Sequence, residues 1–337
     1  MINVRKLEVT ARRLVAESKG ILAADESSGT IAKRLESIGV PSTERTRRNW
    51  RELLFTTPNI QHFISGVILF DETIRQNASD GTPFPKLLWR KGIIPGIKVD
   101  TGVYPFAEHP GEKLTGGLDG LRERLVEYVE LGAQFSKWRA VISIGEGIPT
   151  QACIDANAHT LARFALLSQE AGLVSIVEPE VLMEGNHPIE RHAQETERTL
   201  AAVFDALQMD RITLRGLILK PNMVASGLEA KVQANPTVVA QATIRVLRKV
   251  VPPEVAGIVF LSGGLTPEQA TVNLHAINSQ GKQPWQLSYS FGRALQGEAL
   301  ATWSGKPDNV GRAQSEFYRR AELVSSARDG RLALASR

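Results

Sequence analysis

Short apolar runs alternate with long amphipathic stretches along nearly all of this 337-residue sequence. The runs are GILAAD (20–25), ISGVILF (64–70), IPGIKVD (94–100), FSKWRAVI (135–142), LVSIVEP (173–179), GLILKP (216–221), GIVFLS (257–262) and QLSYSF (286–291). Each is apolar or β-branched and bounded by Gly, Pro or a polar residue, the pattern of a parallel strand buried on both faces. Between them lie stretches such as LRERLVEYVELGA, ACIDANAHTLARFALLSQEAG, ERTLAAVFDALQ and PTVVAQATIRVLRKVV. Their apolar residues recur at three- and four-residue spacing, which gives each a buried helical face. PEQATVNLHAI follows the same rule and opens with Pro267 at a helix-starting position.

Eight strand–helix units of about 30–45 residues predict an α/β fold of the (β/α)8 TIM-barrel type. An open doubly wound sheet is the rival, but it calls for a glycine-rich turn after the first strand. Asp25-Glu26-Ser27-Ser28-Gly29 is not such a turn. No low-complexity linker interrupts the pattern. Residues 1–337 therefore read as one domain, with a barrel core at about 20–305 and helical extensions at both ends, the second comprising a helix and tail over 306–337.

Composition narrows the partners. Lys and Arg number 40 against 36 Asp and Glu, a net charge of +4, and no basic block with interleaved aromatics appears. That excludes the usual nucleic-acid footprint and suits a small anionic substrate. Cys153 is the single cysteine, so no intrachain disulfide can form, consistent with a reducing compartment. No apolar run approaches the roughly 18 residues of a membrane span. The first twenty residues lack a signal-peptide core and mix arginines with Glu8 and Glu17, as a short amphipathic helix would. The expectation is a cytoplasmic protein without nucleic-acid or membrane partners.

Barrel enzymes carry their catalytic groups at the C-terminal strand ends. Here those ends are loaded: Asp25-Glu26, Lys98 and Asp100, Lys137 and Arg139, Glu178 and Glu180, Lys220, Ser262-Gly263-Gly264, and Ser290-Phe291-Gly292-Arg293. Alternate residues such as 137/139 and 178/180 share a strand face, and both pairs would point into the barrel. Each residue alone has a plainer reading. Lys220 could be a solvated or ion-paired lysine, Glu178 and Glu180 could neutralise neighbouring lysines, and Asp25 could cap a helix with Glu26 in its first turn. The glycine turns are weak phosphate signals by themselves. So many charges inside one barrel are costly unless they pair or work, and their convergence needs a joint explanation.

Imine chemistry on a phosphorylated sugar supplies one. Burial and a neighbouring cation such as Lys137 would favour the neutral amine that Lys220 needs to attack a ketone. Glu178 could shuttle protons as the carbinolamine loses water, and Asp25 could take a hydroxyl proton as the carbon–carbon bond breaks. Glycine-rich turns, Arg293 and Lys98 would hold phosphates.

At these residues the sequence closely resembles class I fructose-bisphosphate aldolase, from about position 10 to 325. GILAADESSGTIAKRL, SGVILFDET, GIKVDTGV, FSKWRAVISIGE, VEPE, LILKPNMV, FLSGG and SFGRALQ stand in the family's order and spacing. The resemblance implies aldol cleavage of fructose 1,6-bisphosphate, with Lys220 as the Schiff-base lysine and Asp25 as base for the C4 hydroxyl. It implies a proton-transfer and charge network of Lys137, Arg139, Glu178 and Glu180. Ser262, Gly263, Gly292 and Arg293 resemble the C1-phosphate site, with Gly264 and Ser290 in the same turns. Ser27, Thr30 and Lys98 resemble residues around the C6-phosphate, and Arg34 is similar to an arginine that shifts with substrate. A homotetramer is implied as well, with no cofactor and no metal.

The resemblance has departures. Animal members extend further and end in a tyrosine that assists proton exchange on the enamine, whereas this sequence ends LALASR, with no tyrosine after Tyr318. Phe291 and Thr30 replace a tyrosine and a serine of the animal form. Other readings remain open: a transaldolase or one-phosphate aldolase, a seven-carbon bisphosphate as substrate, or a non-catalytic sugar-phosphate binding protein. A zinc aldolase fits poorly, because His62, His109, His159, His187, His192 and His275 lack ligand spacing.

Overall fold

The computed structural model describes residues 2–332. Eight parallel strands close into a barrel: β1 (Gly20–Ala24), β2 (Ile64–Leu69), β3 (Ile94–Lys98), β6 (Phe135–Ile142), β7 (Val174–Val181), β8 (Leu217–Leu219), β9 (Gly257–Phe260) and β10 (Leu287–Phe291). They stand in chain order around the ring, and β1 closes it by pairing with both β2 and β10. All eight coincide with the apolar runs of the sequence. A small antiparallel hairpin, β4 (Val103–Pro105) with β5 (Lys113–Thr115), projects from the loop after β3 and was not among those runs.

The inward faces explain where the site lies. Along β1 the inward residues are Ile21, Ala23 and then Asp25; along β6, Phe135, Lys137 and Arg139; along β7, Val174, Ile176, Glu178 and Glu180; along β8, Ile218 and then Lys220. The apolar members form one buried cluster with Ile68, Ile94 and Val259. Strand alternation thus stacks a dry lower layer beneath a charged upper one. Phe135 fills the centre of the lower layer, and a Cβ on Gly96 would lie 2.3 Å from its ring, so that position admits only glycine.

The base of the barrel is plugged. The helix Val4–Leu14, capped by Asn3, buries Leu7, Ala11 and Leu14 in the same lower cluster. The helices Leu121–Glu130, Gln151–Glu170, Ile189–Met209, Pro236–Val250, Pro267–Asn278 and Arg293–Trp303 cover the outside of the barrel. The helix Val310–Arg328 buries Phe317, Ala321 and Val324 against this shell. The end of the tail, 333–337, lies outside the described residues.

Candidate active site

A cavity of about 770 Å³ opens at the C-terminal end of the barrel. Of the sixteen site residues expected from sequence, Asp25, Ser27, Thr30, Arg34, Lys98, Lys137, Arg139, Glu178, Lys220 and Gly292 line it. Glu180, Ser262, Gly263, Gly264, Ser290 and Arg293 do not.

At its floor sits a buried chain of charges. Lys220 Nζ lies 2.9 Å from Glu178 Oε1, Lys137 Nζ lies 3.0 Å from Glu178 Oε2, and the same Lys137 lies 2.7 Å from Asp25 Oδ2. Lys137, Glu178 and Lys220 are each less than 5% exposed. Beyond that ion pair, Glu178 Oε2 has no hydrogen-bond partner among the described residues.

This chain sets the ionisation states. Burial alone would push Asp25 upward, but Lys137, Lys220 and Lys98 outweigh it and hold its carboxyl well below the usual range. Burial likewise opposes ionisation of Glu178, and Lys137, Lys220 and Arg139 reverse that. Lys137 loses hydration too, yet Asp25 and Glu178 keep its pKa above that of an ordinary lysine. Asp25 and Glu178 are therefore carboxylates at neutral pH, and Lys137 is a fixed ammonium.

Around the rim, Lys98 pairs with Asp100 at 2.8 Å, and Arg139 donates from Nε to Glu180. Asp25 does not cap the following helix, one of its two readings from sequence. Ser27 does, its Oγ accepting from the Thr30 amide. Glu26 is not in the first helical turn either. It precedes the cap, is buried, and accepts from both Arg34 and Arg51 and from Gln296. Arg34 is thereby held at the cavity wall by a carboxylate.

The two glycine turns meet each other. Arg293 Nη2 donates to the Gly263 carbonyl at 3.1 Å, linking the turn after β9 to the turn after β10. Gly292 is the N-cap of the helix Arg293–Trp303 and offers no side-chain cap, so the first amides of that helix have no side-chain acceptor there. Ser290 is buried, and its hydroxyl has no partner among the described residues.

Sequence reasoning passed over the outer wall. Phe70, Asp71, Arg75, Thr101, Val103, Arg124, Glu127 and Tyr128 also line the cavity. Asp71 and Thr101 directly follow strand runs and carried the same strand-end signal as Lys98. Glu127 and Tyr128 sit on a helix and gave none.

The sequence matches the family described as fructose-bisphosphate aldolase class-I over residues 6–337. A "probable fructose-bisphosphate aldolase class 1" of Xylella fastidiosa is 53% identical, with 95% of this chain and 96% of the relative covered. "Fructose-bisphosphate aldolase 6, cytosolic" of Arabidopsis thaliana is 52% identical over 96% of this chain and 90% of its own. Among solved structures, the aldolase of Plasmodium falciparum, in complex with TRAP and a small-molecule inhibitor, superposes with a TM-score of 0.97 at 46% identity, covering 98% of this chain and 96% of that one. Fold, charged barrel mouth and sequence agree: this chain belongs to the class I fructose-bisphosphate aldolases.

Proposed function

We propose that this lyase cleaves fructose 1,6-bisphosphate reversibly through an imine on Lys220. The observation that carries the assignment is the unequal pairing of the two buried lysines. Lys137 is clamped by two carboxylates and stays an ammonium, whereas among the described residues Lys220 has one ion-pair partner, Glu178. Proton transfer along the 2.9 Å Lys220–Glu178 pair yields a neutral amine and a neutral acid in one step. The amine adds to the C2 ketone. Glu178 then returns the proton to the departing hydroxyl, so that water leaves and the iminium forms. Asp25, ionised at rest, takes the C4 hydroxyl proton as the C3–C4 bond breaks and its electrons pass into the iminium. Glyceraldehyde 3-phosphate departs, the enamine is protonated at C3, and water releases dihydroxyacetone phosphate from Lys220. Lys137 stabilises the negative charge of both carboxylates throughout, while Arg139 and Glu180 fix the rim.

Ser27, Thr30 and Lys98 line the cavity and are assigned to one phosphate, and Arg34, on the same lining, is assigned as an arginine that moves with substrate. Ser262, Gly263, Gly264, Ser290, Gly292 and Arg293 are assigned to the other. Arg293→Ala is expected to raise KM about ten- to a hundredfold with a smaller effect on kcat, the scale of one charge-assisted contact. An unchanged KM places that phosphate elsewhere.

The decisive experiment is borohydride reduction with dihydroxyacetone phosphate. It should inactivate the protein and tag Lys220, and Lys220→Arg should abolish the tag, because arginine keeps its charge and cannot become a nucleophile. A tag on Lys98 or Lys137 overturns the assignment of roles, and cleavage with no tagged lysine overturns the imine.

The cytosolic naming of the plant relatives supports a cytoplasmic location, and no described helix is long and apolar enough to cross a membrane. The family resemblance supports a single-domain protomer in a homotetramer. Cell fractionation and light scattering test these two statements.

A further inference from the structure

We propose that His192, which lies outside the cavity, is a positioning residue that sets the distance between Glu178 and Lys220. This rests on the imine reading above and adds a residue to it.

The need for such a residue comes from the sheet. β7 and β8 carry Glu178 and Lys220, but their ladder is short: Ser175 pairs with Leu217, Ile176 with Ile218 and Val177 with Leu219. One further bond, from the Lys220 amide to the Val177 carbonyl at 2.8 Å, ends it. β7 runs on through Glu178 and Glu180 to Val181, paired only with β6 on its other side. The segment after Lys220 has left the sheet. No strand pairing therefore fixes the upper part of β7 against the chain that follows Lys220.

Two side chains take over. The Val181 amide donates to Asn222 Oδ1 at 3.0 Å, and Asn222 Nδ2 donates to Thr196 Oγ1 at 3.1 Å. One helical turn from Thr196, on the same face of the helix Ile189–Met209, His192 makes the second link. Its Nε2 lies 3.2 Å from the Val181 carbonyl, and its Nδ1 lies 3.0 Å from the Ala225 amide. The amide can only donate, so Nδ1 is the acceptor and Nε2 carries the hydrogen that Val181 accepts. One neutral tautomer satisfies both bonds. The ring is fully buried, leaving it no other partner. The imidazole thus ties the end of the carboxylate strand to the loop that follows the lysine. The segment between Lys220 and Ala225 is held on its far side by Leu261 donating to Pro221 and by Val224 donating to Thr243. Without His192, the Asn222 link remains on the β7 side of that segment among the described residues, and the next ties are farther along, Leu228 to Met183 and Gly227 to His187.

The test compares three variants on protein whose folded fraction is measured by near-ultraviolet circular dichroism, with native protein tagged at Lys220 as the control. His192→Leu removes both links. Its kcat per folded molecule should fall about ten- to a hundredfold, as expected for an approximately 1 Å misplacement, with KM for fructose 1,6-bisphosphate changed by less than about threefold. His192→Asn places an amide oxygen near the Nδ1 position, retains the Ala225 link, and should recover part of that loss. A purely structural histidine predicts fewer folded molecules, each with native kcat. That result in His192→Leu overturns the proposal while leaving the imine reading intact. If the leucine variant does not fold, His192→Gln decides, because it reaches the Val181 carbonyl but not the Ala225 amide. Depressed kcat at native KM in that variant supports the proposal, and native kcat overturns it. Failure of native protein to be tagged at Lys220 removes the imine reading and this proposal with it.

Discussion

Asp25 shows what a single residue's sequence context can and cannot settle. Followed by Glu26, Ser27 and a helix, it looks equally like a cap and like a base. The structure assigns the cap to Ser27 and leaves Asp25 on Lys137 at 2.7 Å. A carboxylate held ionised at the cavity floor is fit to receive a proton. Asp25→Asn keeps the shape of the side chain but cannot accept one. It should lower the cleavage rate at least about a hundredfold, the usual scale for a general base, while borohydride still tags Lys220 with dihydroxyacetone phosphate. Stopped-flow cleavage beside a tagging assay separates the two steps. Near-native turnover would return Asp25 to a structural role. Lys220, Lys137 and Glu178 were legible because each is a charge set in an otherwise apolar strand run. Glu26 was not, because its partner Arg51 stands twenty-five positions later on another helix.

Elements follow the same division between local and distant causes. All eight barrel strands were visible as apolar runs because both of their faces are buried, and that is a property of the local sequence. The β4–β5 hairpin was invisible because Val103, Tyr104 and Pro105 are exposed and carry no periodic signal. A helix after Asp25 was one reading of the sequence, but nothing in it showed how the observed helix Ser28–Glu36 is anchored to its neighbour Glu44–Thr56. Glu26, just before the first helix, accepts from Arg34 within it and from Arg51 on the second, and Arg51 is 2% exposed. Removing one partner of a buried ion pair strands the other charge away from water. Glu26→Gln should therefore destabilise the fold by about 3–5 kcal/mol, read by denaturant titration. A loss of under about 1 kcal/mol would mean that the introduced amide oxygen and solvent satisfy Arg51 without the carboxylate. His192 belongs with Glu26. From sequence it was only one of six histidines without ligand spacing, since its partners Val181 and Ala225 lie on two other elements.

For the whole molecule, these buried groups set the response to acid. Burial pushes His192 down to about 4, opposed by its bond to Val181, and the neighbouring His187 ring, 5.3 Å away, also disfavours its protonation. His187 is itself lowered by burial and by Arg191, against Glu184. Between the ordinary histidine value near 6.5 and about 4, the unfolded chain binds a proton that folded His192 refuses. Stability therefore falls as the pH drops through that window, by about 3 kcal/mol from His192 once the window is crossed. Asp25 and Glu178 act lower on the scale. Their folded values are depressed, so their contribution is complete above the ordinary carboxylate range and is lost only as pH falls below it. The melting temperature of the native protein should thus begin to fall near pH 6, before any site carboxylate gains a proton. In His192→Asn the side chain cannot titrate, so the curve between pH 6.5 and 4 should flatten to the share left by His187, even though the variant starts from a lower melting temperature. Calorimetric scans of both proteins at half-unit intervals of pH compare the slopes directly. Equal slopes in that window would show that His192 takes up its proton in the folded state without cost, contrary to the burial that holds it neutral.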